Sequence, residues 1–248
     1  MRPLRLGLVL AVLAGGSALD AFLIVSPFAQ ASSEGNDFTD RLINSSQVRF
    51  QEVFTVASFN FVDSVPKVIS ALAFRRNGAS AMFPSTLIQG LTIRLGYTTR
   101  DATLTATGLS TTFANNPAGP MTTVFSGSIW VSSSSTTSPR AFDILFPLQS
   151  PFTYDPALGN LLLDWTRTVS VSTAAVDTHL STTDGVAVVF SASAGATTGT
   201  RVSEGAVTQF EMTNVPEPST AVMAGLGLGL VGLVAAHRLK SARSRSAE

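Results

Sequence analysis

The sequence predicts an all-β fold, an antiparallel β-sandwich or jelly-roll-like domain, and three observations carry that prediction. Apolar residues recur at every second position in several short runs, the period of a strand with one buried face. Turn-forming residues cluster between these runs. The stretch 32–214 is rich in Ser, Thr, Val, Ala and Gly and poor in Lys and Glu, a composition that favours strands over helices.

In chain order the expected strands are Val48–Phe61, Val68–Arg75, Leu91–Tyr97, Thr103–Leu109, Thr122–Val131, Ala141–Phe146, Leu161–Val171, Val186–Ser193 and Ala206–Met212. Leu161–Val171 alternates most clearly. Leu161, Leu163, Trp165, Val169 and Val171 fall on one face, with Asp164, Thr166, Thr168 and Ser170 on the other. Leu91, Ile93, Leu95 and Tyr97 alternate with Thr92, Arg94, Gly96 and Thr98. Turn signals stand at Arg76-Asn77-Gly78, Asn115-Asn116-Pro117, Asp155-Pro156, Gly159-Asn160 and Asp184-Gly185. Ser64–Arg75 is the ambiguous stretch, with room for a helical turn. Ser132–Ser138 is low in complexity and reads as a surface loop. In 151–164, Tyr154 and Pro156 are expected to pin a turn that leads into a core strand, with Gly159-Asn160 supplying a positive φ. No internal repeat points to a solenoid or propeller.

The two ends differ from this middle. Residues 1–31 read as a secretory signal peptide. Arg2 and Arg5 precede an apolar run from Leu6 to Leu19, and Ala29-Gln30-Ala31 places small residues at the −3 and −1 positions of a cut. A second small-residue cut site ends at Ala18. Asp20 disfavours an uncleaved membrane anchor, because a carboxylate at bilayer depth is costly. Without paired arginines, the export route for folded proteins is not indicated.

Residues 215–248 have three parts: Pro216-Glu217-Pro218, an apolar stretch Ala221–Ala236, and a basic end with Arg238, Lys240, Arg243 and Arg245. As a helix the apolar stretch measures about 24 Å, short of a hydrocarbon core of about 30 Å. Ser219, Thr220 and His237 extend it to a marginal transmembrane helix, with the basic end held on the cytoplasmic side. Gly225-Leu226-Gly227-Leu228-Gly229 with Gly232 imitates dinucleotide-binding spacing. That chemistry needs a strand in front, and Pro-Glu-Pro-Ser-Thr stands there instead. Gly225 and Gly229 also have the spacing of a helix-packing pair in a membrane.

Motif, apolar helix and basic end together resemble the PEP-CTERM sorting domain of bacterial exported proteins. The resemblance covers only this tail. It implies recognition of Pro216, Glu217 and Pro218 by an exosortase, with cleavage beside them. Two prolines suit that role physically, since they hold an extended backbone open to an active site. The resemblance also implies passage through the inner membrane to the cell envelope, surface or extracellular matrix, and an association with exopolysaccharide. Signal peptidase and exosortase are then the processing partners. Polysaccharide is a further candidate partner.

Residues 32–214 offer little chemistry. There is no cysteine, which excludes disulfides and thiol sites, and the net charge of zero gives no footprint for nucleic acid. His179 is the one histidine of the middle domain, and no G-x-S-x-G elbow occurs. Asp177, His179 and Ser181 form at most a fragment of a triad. Asp143, Asp155, Asp164, Asp177 and Asp184 qualify as glycosidase carboxylates by residue type alone, and turns and wet strand faces account for them more simply. No D-x-D-x-D-G loop supports calcium. The expectation is therefore a non-catalytic protein without cofactor or metal. The alternatives are a carbohydrate-binding sandwich and a secreted hydrolase. Trp165 reads as core. Trp130 shares a mixed face with Thr122, Val124, Ser126 and Ser128 and is the candidate ligand contact, with Tyr97 as a second aromatic to consider.

Overall fold

The computed structural model describes residues 20–61 and 63–215. The apolar run Leu6–Leu19, the apolar stretch Ala221–Ala236 expected to form a transmembrane helix, and the basic end lie outside the described residues. So do Pro216, Glu217 and Pro218.

Among the described residues, thirteen strands make three antiparallel sheets. The strands are β1 (Phe22–Ser26), β2 (Asp37–Thr39), β3 (Val48–Phe54), β4 (Lys67–Phe74), β5 (Phe83–Thr98), β6 (Thr122–Ser133), β7 (Ile144–Tyr154), β8 (Asn160–Arg167), β9 (Val176–Leu180), β10 (Val186–Ser191), β11 (Thr200–Val202), β12 (Glu204–Ala206) and β13 (Thr208–Asn214). A four-stranded sheet runs β1-β13-β4-β7, and a six-stranded sheet runs β11-β10-β3-β8-β5-β6. The third sheet, β12-β9-β2, is short. The all-β antiparallel fold is thus the one the alternation predicts.

The inward side chains of the two larger sheets form one core, in which Phe50, Phe74, Ile93, Phe146, Leu163, Trp165 and Phe210 are all buried. Trp165 meets Phe74 and Phe146 edge to face, with ring centroids 5.8 and 4.9 Å apart. At one edge the sheets are stitched by Gln149 of β7. Its Nε2 donates to the Ser126 carbonyl of β6 at 3.1 Å, and its Oε1 accepts from the Ser126 N–H at 3.0 Å. A side-chain amide here stands in for a strand neighbour.

The six-stranded sheet is buried on its far face as well. Val53, Leu162, Ala187 and Val189 pack there against Ala102, Leu109 and Phe113 of the segment between β5 and β6. This explains why Leu161-Leu162-Leu163 is an unbroken apolar run, since both faces of the strand are covered.

Several elements differ from the sequence reading. Thr103–Leu109 is an irregular loop rather than a strand. β8 stops at Arg167, so Val169 falls off the core face and is exposed. The strand expected across Val48–Phe61 ends at Phe54, and the helical turn falls at α1 (Val56–Phe59) rather than in Ser64–Arg75. The 151–154 segment still belongs to β7. The turn that follows is pinned as expected: the Tyr154 hydroxyl donates to the Gly159 carbonyl at 3.0 Å, and Gly159 has φ 133°. β1, which lies within the stretch 1–31, is hydrogen-bonded to β13.

Candidate functional site

The C-terminal tail leaves the domain from β13, whose surroundings are built from both ends of the chain. β1 lies antiparallel to β13, with Phe22 opposite Met212, Ile24 opposite Phe210 and Ser26 opposite Thr208. β4 holds the other side of β13, pairing Thr208 with Phe74 and Asn214 with Lys67. The last strand is therefore flanked on both sides down to Met212. Phe22 and Ile24 pack on the core, and Val25 and Ser26 are buried. The Ser26 hydroxyl donates to the Ser58 hydroxyl at 2.7 Å, and the Ser58 hydroxyl in turn donates to the Thr55 carbonyl at 2.7 Å.

Ala29 sits in a one-turn 3-10 segment, Phe28–Gln30, and Ala31 caps it; both are exposed. The chain just beyond them is pinned down again. The Gly35 N–H donates to both carboxylate oxygens of Asp177, at 3.1 and 3.0 Å, and Arg75 donates to the Ser33 carbonyl.

Trp130 is the most exposed large aromatic of the domain, 64% accessible, on edge strand β6 opposite Leu87 of β5. Its companions Ser126, Ser128 and Ser132 are exposed too. Val124 is not on this face. The β5–β6 register slips between Ile93 and Arg94, where Phe125 and Thr123 are their partners. The bulge turns Val124 and Phe125 both inward. The result is a hydroxyl-lined wet face carrying one indole. Tyr97 is committed elsewhere: its hydroxyl donates to the Thr153 carbonyl at 3.1 Å and accepts from the Asp155 N–H at 2.9 Å.

The triad fragment is not assembled. Asp177 faces the interior and pairs with Arg75, whose Nε and Nη2 both lie 2.7 Å from it. His179 instead places Nδ1 2.8 Å from Asp184 Oδ2, and Ser181 reaches Thr183 at 3.4 Å. Burial pushes the Asp184 carboxyl up, against the opposing pull of His179 and the Val186 N–H. Beside Asp184 an open cavity of about 290 Å³ is lined by Pro27, Phe28, Ala57, Ser58 and Asn60.

Sequence reasoning missed the most unusual carboxylate, Glu52. It is completely buried, and burial, with Glu204 and Asp184 nearby, holds its carboxyl well above the usual range. Its Oε1 accepts from the Ala206 N–H at 2.6 Å, while Oε2 has no partner among the described residues. Glu204 is engaged by Arg41 at 3.0 Å. Among the described residues no three His, Asp or Glu side chains converge into a metal-holding group. Asp143 and Asp155 accept backbone N–H bonds at turns, and Asp164 is bound by Gln51 at 2.7 Å.

The family model of the PEP-CTERM protein-sorting motif matches residues 214–238. The tail that continues from β13 thus carries that motif, and the chain is of the exported, exosortase-sorted class, directed to the cell envelope or surface. Nothing among curated proteins or solved structures matches the chain.

Proposed function

We propose that this chain is a non-catalytic surface or exopolysaccharide-matrix protein, an all-β body delivered by its own tail. The observation that carries this reading is continuity: the sorting motif begins at residue 214, where β13 ends. No linker long enough to hold another module separates body from tail. Signal peptidase acts at the front and exosortase at Pro216-Glu217-Pro218, with the tail in the inner membrane between the two events. The carboxylates that would serve a hydrolase have structural partners: Asp177 has Arg75, Asp164 has Gln51, and Glu204 has Arg41. Fractionation of a host that makes both exosortase and exopolysaccharide tests the reading. The protein is expected in the matrix fraction, and retention in the cytoplasm or in the inner membrane would refute it.

A carbohydrate-binding role is the second reading, favoured by the exposed Trp130 among serine hydroxyls. An indole face stacks on a sugar ring, and neighbouring hydroxyls supply hydrogen bonds. Co-sedimentation with polysaccharide, with and without calcium, tests it against Trp130→Ala. Absence of retention in both conditions would remove this reading and leave the first intact.

A further inference from the structure

We infer that the mature protein begins at Leu19, with the leader cut after Ala18 rather than beside Ala29 and Ala31. The inference rests on β1. Phe22–Ser26 supplies five residues in continuous antiparallel register with β13. Its burial is that of an edge strand of the domain: Leu23 is 64% exposed, while Val25 and Ser26 are 6% and 0%. A leader is removed from an unfolded chain during export, so it has no need of register with the last strand.

Loss of residues up to Ala31 would uncover much more than a terminus. β13 would become an edge, with its N–H and C=O groups toward β1 unpaired. Ser58 would lose the hydroxyl of Ser26, and the core would lose Phe22, Ile24 and Val25 from its border. β13 is also the strand from which the sorting tail departs, so its integrity bears on presentation of the motif.

The sequence upstream meets the requirements of a complete leader without β1. Arg2 and Arg5 form the charged start, Leu6–Ala14 the apolar run, and Gly16-Ser17-Ala18 the small-residue cut site, with Gly16 at −3 and Ala18 at −1. The step is hydrolysis by signal peptidase. Water adds across the Ala18–Leu19 peptide bond, leaving a carboxylate on Ala18 and an amine on Leu19. Asp20 and Ala21 precede β1 among the described residues.

The N-terminal tryptic peptide of protein recovered from the secreting host decides the matter, because no Lys or Arg lies between Leu6 and Arg41. Cutting after Ala18 yields Leu19–Arg41. Recovery of Ser32–Arg41 would overturn the inference, as would the uncut peptide Leu6–Arg41 or a start at any other residue. Two variants are read the same way, independently of folding. Ala18→Phe is expected to abolish the Leu19 start, and Ala31→Phe to leave it unchanged. A Ser32 start that survives Ala18→Phe and is lost with Ala31→Phe would assign the cut to Ala31 and overturn the inference. Matrix localisation is not read in this experiment, so its result stands apart from that of the proposed function.

Discussion

Phe22 lies directly opposite Met212 across the β1–β13 ladder, so the chain enters and leaves the domain at the same end of one sheet. This geometry makes the first strand a support for the last, from which the sorting motif continues.

The pairing can be trapped covalently. Leu23 faces Glu211 across the same ladder on the outer side of the sheet, at the spacing of a directly opposed antiparallel pair. With no natural cysteine to compete, Leu23→Cys combined with Glu211→Cys is expected to form a disulfide in the oxidising compartment. Thiol labelling before and after reduction reads it. Free thiols on protein that keeps residue 23 would show that β1 does not sit on β13.

Arg75, the residue after β4, and Asp177 of β9, both fully buried, hold the segment after Ala31 between them. Asp177→Ala would leave a buried guanidinium unpaired and the Gly35 N–H without its acceptor. The expected loss is about 3–5 kcal/mol, measured by denaturant unfolding. A loss under about 1 kcal/mol would mean that water reaches the pair.

Glu52 gives a pH dependence with a defined sign. Its folded carboxyl holds its proton to higher pH than the unfolded one. Between the ordinary glutamate range and the raised folded value, the folded state therefore binds more protons, and stability falls as pH rises, by up to about 1.4 kcal/mol per pH unit. Below that window the contribution is fully present. Glu52→Gln keeps an oxygen for the Ala206 N–H and removes the ionisation, so it should flatten this fall and raise stability at neutral pH. Melting temperatures across pH check it; an unchanged slope would contradict the burial argument.

The two tryptophans should separate stability from surface chemistry. Trp165→Ala opens the centre of the core and is expected to cost about 3–5 kcal/mol. Trp130→Ala removes a mostly exposed ring and should change stability by no more than about 0.5 kcal/mol. Any effect of Trp130→Ala on polysaccharide retention would then report binding.

Leu91–Tyr97 was legible in the sequence because its two faces differ, with Leu91, Ile93 and Leu95 on the core. Leu161–Trp165 is buried on both faces, and its strand period shows only where Asp164 and Thr166 flank Trp165. Thr103–Leu109 also alternates yet forms no strand, for a local reason. The Asp101 carboxylate accepts from the Thr103 N–H at 2.8 Å and from its hydroxyl at 2.6 Å, and Thr105 bridges the hydroxyls of Thr103 and Thr107 at 2.7 and 2.9 Å. These side chains curl the segment on itself. β1 was illegible because Phe22-Leu23-Ile24-Val25 is short, wholly apolar and continuous with a leader-like run, so composition could not separate strand from leader. Trp130 stood out as an aromatic on a mixed face, but the bulge that removes Val124 from that face appears only in the strand register. Glu52 gave no signal, since its burial depends on β12 closing over it from far along the chain.

The most direct measurement is the mature C-terminus, read by intact mass from matched hosts with and without exosortase. Sorting through Pro216-Glu217-Pro218 is expected to yield a chain shortened near that motif when the enzyme is present and an intact tail when it is absent. A tail retained in both hosts would contradict sorting and leave a β-sandwich held by a plain membrane anchor.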